Sequence, residues 1–221
     1  MHPDVGFPAT SAAGDGNMEA QKPTEFHLEV FADPRSVLDV VKGVLHAVFF
    51  HRFFPSIVPQ THEVLDLTLP YVRDPELETL IDQRAAALER HIDAQRPPSQ
   101  PTGASTTSNP ANKGGRGQLT VQFFEKKRRK GTWLSRGDEE VCWESWTVKV
   151  TVSEPRTESE RAKVRRAMEQ TLQKAAFNII TYVNQHKDHI PPITTQTSNP
   201  FPYKINVDQQ ETGWASRMRI Y

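Results

Sequence analysis

Residues 118–152, QLTVQFFEKKRRKGTWLSRGDEEVCWESWTVKVTV, decide the fold. Leu119, Val121 and Phe123 fall on one face of a first run, and Trp146, Val148, Val150 and Val152 fall on one face of a second. Alternation with a period of two marks half-buried strands. Two such strands, 118–127 and 141–152, form a hairpin whose apolar face needs another layer to cover it. Their connection holds five consecutive basic residues, Lys126, Lys127, Arg128, Arg129 and Lys130, then Trp133, and closes on Asp138, Glu139 and Glu140.

Outward from the hairpin, the pattern switches between periods. Thr157 and Glu160 form a capping-box pattern at the head of a long helix. Its apolar stripe runs Val164, Met168, Leu172, Ala175, Ala176, Ile179, Ile180 and Val183 and stops before Pro191–Pro192. YKINV (203–207) and WASRMRIY (214–221) read as two short strands. On the other side, residues 96–117 contain no hydrophobic residue larger than alanine. Such a segment cannot offset the entropy of ordering and is expected to be a mobile loop.

Further upstream, Asp74–Pro75 opens a helix with Leu77, Leu80, Ile81, Leu88 and Ile92 on its apolar side. HEVLDLTLPYV (62–72) alternates as one partly buried strand that ends near Pro70. Asp33 and Pro34 suit the cap and first position of another helix, with Val37, Val40, Val41, Val44, Leu45, Val48 and Phe49 at helical spacing and Pro55 as its stop. EFHLEVFA (25–32) is the first strand, and residues 1–23 form a disordered tail with neither the basic start nor the apolar run of a signal peptide. The order is strand, helix, strand, helix, two strands, long helix, two strands. It predicts one α+β domain over 24–221, with three helices packed on an antiparallel sheet.

Composition bounds the function. The 221 residues are 36% hydrophobic, enough for one core. Lys plus Arg and Asp plus Glu are 27 each, so no global positive field draws the chain to nucleic acid. The single cysteine, Cys142, excludes an internal disulfide and a multi-cysteine zinc site, which suits a reducing cytosolic or nuclear compartment. No stretch reaches the roughly 20 apolar residues of a membrane span.

Catalytic motifs are missing. GGRG (114–117) lies in the expected loop and lacks the strand and the Gly-Lys-Ser/Thr ending of a phosphate loop. Cys142, inside a strand beside Trp143, reads as a small structural residue. His186 and His189 stand a turn apart with no third metal ligand nearby, and read as a polar helix end. His46 lies beside the first helix's apolar stripe, where it could hydrogen-bond a buried group, whereas His51–Arg52 reads as a polar terminus. The expectation is a non-enzyme with no metal and no cofactor. Trp133 between Gly131 and Gly137 either folds back on its own domain or projects toward a partner, since tryptophan is enriched at binding hot spots. The residues alone leave both open. The alternative to a protein adaptor is a nucleic-acid or anionic-membrane module using the basic run.

VLHAVFFHR (44–52), LTVQFFEKKRRKGTW (119–133), WESWTVKVTV (143–152) and PYKINV (202–207), in this order, resemble the autophagy-related protein 101 family. The resemblance covers about residues 25–220 and is most specific in the Leu-His-x-Val-x-x-His-Arg helix end and the Trp-Glu-x-Trp-Thr-Val-Lys-Val strand. It implies a HORMA domain with a C-terminal safety-belt segment. It further implies a non-catalytic adaptor that heterodimerises with and stabilises the HORMA domain of autophagy-related protein 13, within the autophagy-initiating kinase complex. Localisation would be cytoplasmic, at the phagophore assembly site. The family's finger loop, which recruits downstream autophagy factors, falls on Trp133. Leu134 follows where relatives carry a phenylalanine nearby, and is the candidate second apolar contact. The long 96–117 loop and the end at Tyr221 resemble a fungal-type member.

Overall fold

A computed structural model of the chain describes residues 22–55, 57–95, 114–128, 138–193 and 199–208. Four strands form one sheet: β1 (Thr24–Ala32), β4 (Gly115–Arg128), β5 (Asp138–Val152) and β6 (Tyr203–Asp208), in the spatial order β1-β5-β4-β6. A separate two-stranded sheet joins β2 (Gln60–Val64) to β3 (Leu67–Tyr71), and the helices are α1 (Val37–Arg52), α2 (Pro75–Ala94) and α3 (Glu158–Gln185). The α+β class and the three helices are as expected, but the main sheet is mixed. β5 and β6 run antiparallel to β4, while β1 runs parallel to β5, with Phe26 opposite Trp146 and Val30 opposite Val150. Hydrophobic alternation is the same for either strand direction, so it could not report this.

The register explains the core. Phe26, Trp146, Val121 and Ile205 lie side by side across the four strands, and Leu28, Val148 and Leu119 form the next row. All seven are buried. Glu25, His27, Glu29, Lys149 and Thr147 occupy the opposite parity, so one face is apolar and one polar. α3 packs over β1, α2 over β4 and β6, and α1 touches both α2 and α3. α3 begins with the expected capping box: Thr157 Oγ1 accepts from Glu160 N at 3.1 Å while Glu160 accepts from Thr157 N at 3.3 Å. α2 is capped by Asp74, whose carboxylate accepts from Leu77 N at 2.9 Å.

Several boundaries differ from the sequence reading, each for a local reason. Asp33 does not cap α1 directly. Its carboxylate accepts from Arg35 N and Ser36 N, closing a turn that delays the helix to Val37, with Ser36 as cap. The single strand expected at 62–72 is a hairpin, because Leu65 adopts φ 55° and reverses the chain at Leu65–Asp66. A leucine there costs about 1–2 kcal/mol, which is why glycine or asparagine usually signals such turns and why this one went unseen. The predicted loop also ends early, since Gly115, Arg116 and Gly117 are strand residues. A Cβ on Gly117 would lie 2.6 Å from Leu88 Cδ1, and one on Gly115 2.4 Å from Ile92 Cγ2. These glycines let α2 lie directly on β4. On α3, the stripe holds at Met168, Leu172, Ala175, Ile179 and Val183, but Ile180 is exposed rather than core. The strand expected at 214–221, the tail over 1–21 and residues 96–113 lie outside the described residues.

Candidate functional site

The β4–β5 hairpin reaches beyond the sheet that anchors it. β6 pairs with β4 as far as Phe123, and Phe124 N still donates to Pro202 O at 2.8 Å. β1 pairs with β5 only from Glu144 onward. Glu125–Arg128 therefore pair with Val141–Asp138 alone, a two-stranded ribbon about 13 Å long at ~3.3 Å per residue. Residues 129–137 connect its two strands. Trp133 and Leu134, the expected finger, lie in that connection and outside the described residues, as do Arg129 and Lys130.

The rest of the basic run has a structural partner. Lys126, Lys127 and Arg128 stand in register with Glu140, Glu139 and Asp138. Lys126 with Glu140 and Lys127 with Glu139 thereby set opposite charges across the antiparallel pair, which stabilise it by a few tenths of a kcal/mol to ~1 kcal/mol each. Lys127 Nζ also reaches Glu125 at 3.2 Å, and Lys204 of β6 reaches Glu140 at 2.8 Å while lying over the Phe124 ring. The ribbon thus interleaves both signs. Among the described residues it presents no single-sign surface of the kind phosphate binding uses, so they lend the nucleic-acid reading no support.

At the ribbon's base the ladder slips by one residue between Phe123 and Phe124, leaving Trp143 as a bulge opposite no partner. The slip turns both Trp143 and its neighbour Glu144 into the core. Trp143 packs against Phe201, Phe123 and His189. Glu144 is 0% exposed and Arg52, at the end of α1, 3%. Arg52 Nε donates to both carboxylate oxygens at 2.8 and 3.0 Å, Trp146 Nε1 donates to Oε1, and His189 Nε2 lies 2.7 Å from Oε2. The guanidinium is completed by the carbonyls of His51 and His186. Burial pushes the Glu144 carboxyl up, but the bonds from His189, Arg52 and Trp146 and the Arg52 charge outweigh it and hold it below the ordinary carboxylate value.

This network corrects two readings. Arg52 is no solvated terminus, and His189 is no frayed end; together with Glu144 they clamp α1, β5 and the segment after α3. Both carboxylate oxygens are engaged by donors of the chain itself, which suits a clamp rather than a general base. A lone alternation pattern had no means to flag Glu144. The available signal was the opposite charge at Arg52, far away in sequence. Cys142 is half-buried, and burial pushes its thiol up, away from nucleophilic use. Among the described residues no group of three His, Cys, Asp or Glu side chains could hold a metal, and no helix is long and apolar enough to cross a membrane.

Two apolar side chains of α3 lie outside its buried stripe. Phe177 and Ile180, one turn apart, are 61% and 47% exposed, although the helix buries Met168, Leu172, Ala175, Ile179 and Val183 on its inner side. At 100° per residue, Phe177 points about 160° away from Ile179. Phe177 and Ile180 thus leave an aromatic and an aliphatic side chain partly in water on α3.

The autophagy-related protein 101 family model matches residues 29–197. Curated relatives bearing that name include one from Arabidopsis thaliana, 25% identical over 212 residues, covering 86% of this chain and 87% of the relative. One from Schizosaccharomyces pombe is 28% identical over 182 residues, covering 82% and 85%. One from Homo sapiens is 25% identical over 199 residues, covering 81% and 85%. Identities this even across plant, yeast and animal assign no lineage.

Proposed function

The chain belongs to the autophagy-related protein 101 family, and from that premise we propose that it is a non-catalytic adaptor of the autophagy-initiation machinery. In this reading it is a HORMA domain, with the C-terminal segment through β6 as its safety belt. It heterodimerises with the HORMA domain of autophagy-related protein 13 and stabilises it within the autophagy-initiating kinase complex. It acts in the cytoplasm, at the phagophore assembly site. The connection at 129–137 presents Trp133 and Leu134 to downstream factors.

The observation that carries the reading is the family match across most of the chain. Two features support its parts. The paired ribbon, Glu125–Arg128 with Asp138–Val141, extends past the end of the four-stranded sheet. Phe177 and Ile180 offer the heterodimer an apolar anchor that the monomer leaves in water.

The test separates the two. In cells lacking the endogenous protein, Trp133→Ala is expected to co-precipitate autophagy-related protein 13 at the wild-type level while failing to restore autophagosome formation. Loss of that co-precipitation would place Trp133 in the fold or the dimer and overturn the finger reading.

A further inference from the structure

Between α1, α2 and the β2–β3 hairpin lies a cavity of about 240 Å³, lined by Asp39, Lys42, His46, His62, Tyr71 and Asp82, with Leu69 and Pro70 on its apolar side. His46 forms part of the lining although only 4% of it is exposed. Its ring stacks on Tyr71 with centroids 4.0 Å apart. Its Nδ1 is buried without a hydrogen-bond partner among the described residues. A buried imidazole left this way is costly, and an apolar side chain of similar size would fill the place without the cost. Packing on Tyr71 accounts for the ring's place but not for its polarity, and with Nδ1 closed off, a ligand in the cavity would reach His46 through the rest of the ring.

We propose that this cavity is a guanidinium-recognition pocket that takes the arginine side chain of a partner polypeptide. Four properties select that ligand. The volume lies below the roughly 300 Å³ at which pockets for whole small molecules begin, so it suits a side chain. Asp39 and Asp82 against Lys42 leave one negative charge to be matched; Lys42 Nζ already holds Asp82 at 2.7 Å, and Asp39 sits at the rim. Burial lowers the His46 pKa to about 4, against the upward pull of Asp82, so the ring is neutral near pH 7 and keeps one acceptor nitrogen. Guanidinium is planar and donates only, which fits an acceptor ring, carboxylates and an aromatic stack, while an ammonium has no flat face to offer. Leu69 and Pro70 suit the aliphatic stem. The site involves neither the ribbon nor α3, and it stands or falls separately from the adaptor reading.

The experiment is an aromatic ¹H–¹³C NMR titration of the full chain with N-acetyl-L-argininamide, with N-acetyl-L-lysinamide as comparison. Saturable shifts of the His46 and Tyr71 ring signals are expected with the arginine probe, and at least about tenfold weaker binding with the lysine probe. Asp39→Asn should weaken the arginine response by up to about fivefold, the factor one exposed charge pair supplies. His46→Leu should abolish the Tyr71 response while melting no lower than wild type, a combination that a purely structural histidine does not give. No saturable shift, equal response to both probes, or an unchanged Tyr71 response in His46→Leu would each overturn the proposal.

Discussion

Replacing Glu144 by Gln isolates the charge in the buried clamp. The amide keeps the carboxylate's shape. With its oxygen on the Arg52 and Trp146 side it still accepts both donors, and its nitrogen faces His189 Nε2, a ring nitrogen that can accept. What disappears is the negative charge 2.8 Å from a guanidinium that is 3% exposed. Stranding one partner of a buried pair typically costs 3–5 kcal/mol. For a domain of this size, that is a fall in Tm of roughly 6–20 °C, or a matching shift of the urea midpoint at unchanged m. The double variant Arg52→Met/Glu144→Gln removes both charges, and its cost should fall well short of the sum of the single costs, by at least about 2 kcal/mol. The pH dependence gives an independent check. Glu144 is held below its ordinary value of 4.5 in the folded chain, so its contribution is present above that value and is lost as pH falls through the folded one. Glu144→Gln should therefore flatten the acid limb of the stability curve below about pH 4.5. A single-variant cost under about 1 kcal/mol, or additive costs in the double variant, would refute the clamp.

Three further outcomes are expected. Phe177→Asp should leave urea stability within about 0.5 kcal/mol of wild type, because the ring is mostly in water, and should abolish co-elution with autophagy-related protein 13; retained co-elution would remove α3 from the proposed interface. Wild-type stability should fall by roughly 2 kcal/mol between pH 7.5 and 5 through His46 alone, since an unfolded histidine at 6.5 takes up a proton that the folded one, near 4, refuses. His46→Leu should lose that slope, as followed by urea titrations at each pH. Gly117→Ala should cost about 1–3 kcal/mol in the same assay by forcing a methyl against Leu88, whereas a neutral result would mean that α2 is free to shift.

Much of this architecture was legible because its signals are periodic and local. The β4 and β5 stripes, the α2 cap at Asp74 and the capping box at Thr157–Glu160 each sit within a few residues of the element they specify. The failures share a different character. Strand direction at β1 depends on where the chain returns, which no alternation records. The turn at Leu65 is imposed by packing of Val64 and Leu69 beneath α1 against local preference. Arg52, Glu144 and His189 look solvated one at a time, and only their convergence from three distant segments makes burial tolerable. The proposed site divides along the same line. Trp133 was conspicuous as a large ring between glycines, but Ile180 hid inside a helical stripe that sequence reading assigns to the core, and Phe177, outside that stripe, carried no signal of its own.

The proposed role requires this chain to pair with a second HORMA domain. Size-exclusion chromatography with light scattering tests it most directly, on the 25.1 kDa chain alone and mixed with the HORMA domain of autophagy-related protein 13. Pairing would give a new species with the summed mass of one copy of each. Two unchanged peaks at micromolar concentration, with this chain still at 25.1 kDa, would contradict it.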